Sequence, residues 1–454
     1  MLKRNAYLRL APVLMLAFPV LAVVQVGSPT TTNVTRAFSL KQYGGVSLST
    51  SGSADTTATG YGEILPQAPG TAPSGLEFLS YRQNDVLISE TAISASRPIR
   101  SGRIYAEMSD SVDTGLAIAN PNDAPVSINF YFSNATGNVG SGTTTIPAKE
   151  HVAAFLSDTS VFKGPSPFQG TLSFTASAPI AAAAIHGLRN ERGEFLMSTL
   201  SVLDMDAPAS QFSLLPHFAD GAGWTTQILL VNPTDSPLTG ALEFRDDAGV
   251  VLGVEIAGAS GNLYSIPVRS SQKLVTRGLS TLKSGSIRVV PAAATAPVAM
   301  ALFSYKPGAT TLSETISIGT ATGAKALRTY AEYYGAPDEP GSVRAGVALT
   351  NASAASADVT VELFNIDGSK LAQPAPVTFI LPAYGHTAKF LDDIFANGSL
   401  PNRFQGTVRI STTAASGIAA VGLRARLNER RDFLAVATTP IDESLPPVGS
   451  TTFF

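Results

Sequence analysis

The sequence repeats itself, and the distance of the repeat is the strongest constraint on what the chain can fold into. "LISETAIS" (87–94) returns as "LSETISI" (312–318), carrying Ser89 to Ser313, a shift of 224 residues. "RIYAEM" (103–108) returns as "RTYAEY" (328–333), carrying Tyr105 to Tyr330, a shift of 225. Half that distance also gives matches. "GLAIANP" (115–121), "QILLVNP" (227–233) and "GVALTNA" (346–352) set Asn120, Asn232 and Asn351 at steps of 112 and 119. "FQGTLSF" (168–174) matches "FQGTVRI" (404–410), with "SGSIRVV" (284–290) between them. A period of this length marks whole domains, since solenoid and propeller repeats run about 20–50 residues.

Each unit reads as strands. The first complete copy holds seven short apolar or alternating runs, 115–120, 125–133, 141–146, 151–156, 170–176, 180–188 and 194–202, bounded by Gly, Pro, Asn, Ser and Asp. A hairpin signal follows the second run in every copy: "FSNATGNVG" (132–140), "FRDDAGVVL" (244–252) and "FNIDGSKL" (364–371). "IAAAA" (180–184) has helical composition, but its counterpart "VAMALFSY" (298–305) is β-rich, so it is read as a buried strand. The expected fold class is all-β: tandem immunoglobulin-like β-sandwich repeats of about 112–120 residues, with one incomplete N-terminal copy.

The incomplete copy is "GYGEILPQAPGTAPSGLEFLSYRQNDVLISETAIS" (60–94), which aligns with the last three runs of the unit. The chain then divides into a signal peptide (1–26), a Ser/Thr/Gly-rich linker (27–56), a partial repeat (57–95), three repeats (96–205, 206–320, 321–440) and a tail (441–454). An alternative phasing joins the last three strands of one copy to the first four of the next and leaves the orphan half at 403–440. Either way one sheet edge lacks a partner within its own copy, and exposed edges are rarely left open.

Lys3, Arg4 and Arg9 before an apolar run from Leu10 to Val24 predict an export leader, with cleavage near "VLA" (20–22) or "VQVG" (24–27). The 15-residue run is short for a membrane span, so membrane contact is expected only through this segment if it is retained. The expected location is secreted, extracellular or at the cell surface, with the periplasm as a further possibility. There is no cysteine, so no disulfide framework supports the fold. A net charge of −3 without a dense basic face excludes nucleic-acid binding as the reading.

A search for chemistry returns little. His151 and His386 occupy the same slot in "IPAKEHVAAFL" and "LPAYGHTAKFL", Ser271 fills it in the middle copy, and the recurrence predicts a turn role. "SSQK" (270–273) matches Ser-x-x-Lys without its partner motifs. Asp246, Asp247 and Asp367 lie in hairpins and read as turn residues, too few per segment for a calcium loop. Arg82, Arg189, Lys306 and Arg424 close one strand of each copy, and Glu90, Glu191, Glu314 and Glu429 follow; the reading is a cross-strand ion pair within each hairpin. No catalytic, cofactor-binding or metal-binding residue is assigned, and no cofactor is expected. Trp224, Tyr334 and Tyr384 are the weak candidates for aromatic ligand platforms.

The stretches "SYRQNDVLISE" (80–90), "SGRIYAE" (101–107), "TGLAIANPNDAPVSINFYF" (114–132) and "HFADGAGWTTQILLVNPTD" (217–235) resemble repeats in uncharacterised secreted proteins of soil bacteria. The resemblance covers most of 57–440 and implies export and a tandem β-sandwich, with no activity attached. The expected function is that of a non-enzymatic structural, adhesive or spacer protein at the bacterial cell surface. The alternatives are a polysaccharide-binding or enzyme-accessory array, and a self-assembling subunit that exchanges strands. The corresponding partners are extracellular polysaccharide, cell-surface proteins, or a second copy bound through the incomplete repeat.

Overall fold

The alternation in "VSINFYF" is realised as a strand, Val126–Asn134, whose residues are buried and exposed by turns over its first half. Period-two patterning of this kind builds sheets with one face in the core. A computed structural model describes residues 13–15, 20–27, 34–50, 59–67, 70–279, 281–395, 400–445 and 449–454, the first two stretches in backbone only. Among the described residues the chain is almost entirely antiparallel sheet, with a single four-residue helix, Leu391–Ile394.

In 96–205 two sheets enclose one core. The first runs Gly137–Ile146, Val126–Asn134, the first half of Phe168–Arg189, then Ile99–Met108. The second runs His151–Phe155, Val112–Ala119, the second half of Phe168–Arg189, then Phe195–Leu200. Phe168–Arg189 is one 22-residue strand where the sequence suggested two; its register shifts between Thr175 and Ile180, around Pro179, and there it passes from one sheet to the other. The "IAAAA" segment lies in its second half, with Ala182 and Ala184 in the core. Side chains from both sheets, Phe132, Leu172, Leu116 and Ile118 among them, fill the interior. Each fully buried side chain of this size contributes about 2 kcal/mol.

With the two halves of Phe168–Arg189 counted as sixth and seventh, and the two-residue Leu203–Asp204 left aside, the unit has eight strands, not seven. The additional one is the first, Ile99–Met108, which contains the "RIYAEM" motif. Numbered along the chain, the sheets run first–sixth–third–fourth and fifth–second–seventh–eighth. The same two orders occur in 206–320, as Ser213–Asp220, Lys283–Pro291, Leu238–Arg245, Leu263–Ile266 and as Ser271–Val275, Trp224–Val231, Val298–Tyr305, Ser313–Ile318. They occur again in 321–440, as Ala326–Tyr334, Arg403–Ser411, Ala357–Asn365, Val377–Leu381 and as His386–Phe390, Val343–Asn351, Ile418–Leu427, Phe433–Thr438. The third-to-fourth hairpins place Gly137, Gly249 and Gly368 at φ of +107°, +81° and +87°, conformations that only glycine adopts without strain.

The first 95 residues follow the same order with one substitution. Val34–Leu40, Val20–Gly27 and Tyr61–Pro66 stand as fourth, third and sixth strands, and the first position is taken by Thr451–Phe453, from the other end of the sequence. Val13–Met15, Ser74–Gln83 and Val86–Ser94 stand as second, seventh and eighth. Two segments assigned to leader and tail therefore carry strands of this unit; residues 1–12 and 16–19 of the leader lie outside the described residues. Ile441–Asp442, also in the tail, adds to the edge of Ala326–Tyr334, as Leu203–Asp204 adds to Ile99–Met108.

The four eighth strands meet one another. Val86–Ser94 touches Phe195–Leu200, which touches Ser313–Ile318, which touches Phe433–Thr438, which touches Val86–Ser94 again. The units close a cycle instead of extending as a line.

Candidate functional site at the seams between units

The recurring polar residues converge on the seams. Asn190 and Asn428 sit at equivalent hairpins, "RNER" and "LNER". Asn190 Nδ2 donates to the Thr311 carbonyl at 2.9 Å, and Asn428 Nδ2 donates to the Leu87 carbonyl at 2.9 Å, each reaching into the next unit. The neighbouring glutamates repeat the pattern. Glu191 accepts from Thr311 N–H at 2.7 Å and pairs with Lys306; Glu429 accepts from Leu87 N–H at 2.8 Å and pairs with Arg82 at 2.8 Å. Burial raises the Glu191 carboxyl pKa, but the Lys306 and Thr311 hydrogen bonds outweigh it and hold it at about 2.

Deeper in the same seams, Arg424 binds Glu90 and, at 2.9 Å, Glu332; at the equivalent position His186 Nε2 lies 3.5 Å from Glu314 Oε2, at the limit of hydrogen-bond reach. Of the basic residues that sequence paired within hairpins, Arg82, Lys306 and Arg424 thus pair across seams, with Glu429, Glu191 and Glu90, which the sequence reading missed, while Arg189 donates to the Gly193 carbonyl of its own hairpin. Separations of 115 to 347 residues leave no local signal for such pairs.

The other two seams use a different device. Ser89 Oγ accepts from Met197 N–H at 2.8 Å, and Ser313 Oγ accepts from Ala435 N–H at 2.9 Å. These are the serines of the two Ser-Glu-Thr echoes. The doubled repeat distance follows: the N-terminal unit and 206–320 present one kind of surface, while 96–205 and 321–440 present the other. The pseudo-twofold shows again at one end of the axis, where Arg192 bonds Asp432 at 3.1 Å and Arg430 bonds Glu194 at 2.6 Å across the diagonal.

The histidine slot also belongs to the seams. His151 Nε2 lies 3.2 Å from Thr59 Oγ1, Ser271 Oγ donates to the Gly170 carbonyl at 2.7 Å, and His386 stands between Asp247 and His217. In each copy the slot touches the preceding unit. His386 Nδ1 is 2.7 Å from Asp247 Oδ1 and its Nε2 is 3.0 Å from His217 Nδ1. Burial, then the His386 ring, push the His217 pKa down to about 3. Lys273 of "SSQK" reaches Glu107 of the preceding unit at 2.5 Å, so its ammonium is committed there. Among the described residues no group of three or more His, Asp or Glu is placed to hold a metal, and no helix is long and apolar enough to cross a membrane.

The aromatic candidates are spread apart. Trp224 stacks on Tyr305 at 4.5 Å with Phe433 against its edge. The guanidinium groups of Arg245 and Arg288 lie 4.4 and 4.6 Å from the centre of the Tyr384 ring. Tyr334 is 44% exposed, with Arg403 at 5.7 Å. Among the described ring contacts none joins two of the three. A cavity of about 240 Å³ lies where the N-terminal unit meets 321–440, lined by Arg97, Thr329, Tyr330, Thr439 and Thr451 among others. It can admit a small polar molecule, and its walls bring together no nucleophile with a base. No family model matches the chain, and no curated protein or solved structure matches it either.

Proposed function

We propose that the protein is a non-enzymatic exported component of the bacterial cell surface, acting as a structural or adhesive block through its outer faces. The observation that carries this reading is the use made of polar side chains. The residues that recur from copy to copy, Asn190 and Asn428, Glu191 and Glu429, Ser89 and Ser313, and the histidine slot, are spent on holding units together. The leader-like segment supplies the case for export. The units are read as tandem copies of an immunoglobulin-like antiparallel sandwich with a different strand order. In the immunoglobulin fold the first strand pairs with the second and the last with the sixth; here the first pairs with the sixth and the seventh with the second. Closure of the cycle favours a compact block over an extended spacer. The polysaccharide-binding alternative has less support, since Trp224 already stacks on Tyr305, Tyr384 carries two guanidinium groups, and the three aromatic candidates do not form one platform.

The test is cell fractionation with surface proteolysis in the producing bacterium. Protease-accessible protein in the envelope or medium is the expected result; a protected cytosolic pool would remove the proposal.

A further inference from the structure

Every unit needs a first strand beside its sixth, and three of them draw it from adjacent sequence: Ile99–Met108, Ser213–Asp220 and Ala326–Tyr334, of 10, 8 and 9 residues. The N-terminal unit receives only the three residues Thr451–Phe453. Their seat is nevertheless specific. Thr451, Thr452 and Phe453 pair with Ile64, Glu63 and Gly62. Ser96 and Thr452 exchange both backbone hydrogen bonds, at 2.8 and 2.9 Å. Phe453 is buried over Gly62, where a Cβ would stand 2.5 Å from its ring. Phe454 N–H donates to the buried carboxyl group of Glu77 at 3.1 Å, and its side chain packs beside Tyr61, Ala119 and Ala181.

We propose that this seat is an interaction site for the 451–454 segment of a second copy of the chain, so that copies join by strand exchange. A seat shaped for an extended Thr-Thr-Phe-Phe segment makes the same contacts whichever copy supplies it, so effective concentration decides between closure and exchange. The grip is a third the length of its counterparts, which makes release the least costly of any first strand. Donor and acceptor are different surfaces, so the contact is heterologous and links copies head to tail. This inference deepens the surface-block reading by naming a partner, but the exchange itself does not depend on where the protein resides.

The chain has no cysteine, so engineered pairs are read without background. Ser96 and Thr452 form a hydrogen-bonded antiparallel pair, whose Cα separation of about 5.5 Å suits a disulfide. The full-length double variant S96C/T452C, oxidised when dilute, is expected to close within one chain. Full-length S96C mixed with full-length T452C at high concentration is expected to give a disulfide heterodimer at least tenfold above either homodimer. Adding Phe453→Asp to the T452C partner should cut that yield at least fivefold. If the double variant closes but the mixture gives no excess heterodimer, exchange is refuted. If the double variant does not close, the seat itself is refuted. Native mass spectrometry of the unmodified chain guards against misfolded variants: oligomers that rise with concentration and vanish on deletion of 449–454 support exchange, and a monomer at all concentrations overturns it.

Discussion

At the residue scale, the asparagines that mark the repeat show why a side chain recurs. Asn232 is fully buried; its Nδ2 donates to the Ser236 and Pro267 carbonyls at 2.7 and 2.9 Å, and its Oδ1 accepts from Thr234 N–H at 2.8 Å. Asn120 and Asn351 make the same brace between the second-to-third and fourth-to-fifth loops. Truncation strands buried backbone groups, so Asn232→Ala should cost about 3 kcal/mol in denaturant unfolding. His217 gives a pH test. With its pKa depressed to about 3 in the fold, its contribution is complete above about 6.5, the unfolded value, and declines as pH falls toward 3. Unfolding at pH 7 and pH 4.5 should therefore show a loss that is smaller in His217→Phe; equal losses would assign the acid sensitivity elsewhere. The Asn periodicity was legible in sequence. The Asp247–His386–His217 contact was not, because its members come from different units and share no spacing rule.

At the element scale, alternation and turn chemistry told most of the story. Val126–Asn134 and the three glycine-bearing hairpins lie where the patterning puts them. The first strand of 96–205 was hidden by its neighbours: "SASRP" just before it has the composition of a linker, although Pro98 only sets the strand's start. Thr451–Phe453 was hidden by brevity, since three residues cannot display a period, and by the prolines ahead of it. Its seat can be probed by steric load. Gly62→Val should destabilise the fold by about 2 kcal/mol through the clash with Phe453 and speed hydrogen exchange at 451–453, whereas Gly253→Ala, with open space at its Cβ, should do neither. Burial raises the Glu77 carboxyl to about 8, only partly offset by the Phe454 N–H. Its contribution is complete below about 4.3 and is lost as pH rises through 8. Glu77→Gln should flatten the stability profile between about pH 4.3 and 8; an unchanged slope there would clear Glu77 of that role.

At the scale of the whole molecule, the cyclic contact of the four eighth strands makes the chain one compact body. Small-angle scattering of the monomer in dilute solution should give a radius of gyration of about 22 Å, the value for a single globule of 454 residues; a value near twice that at monomer mass would mean that the units separate in solution. The sequence disclosed that there were copies and about where they began. It could not disclose closure, because the pairing of Tyr61–Pro66 with Thr451–Phe453 and of Arg82 with Glu429 joins opposite ends of the chain. Two kinds of joint alternate around the axis, and that imposes parity. A circuit built from alternating joints can hold two, four or six members but never three or five, for an odd member would bring like against like. Growth or shrinkage by a single copy is therefore barred, and the lineage of this architecture should advance in couples, the couple being what the 224-residue echo measures.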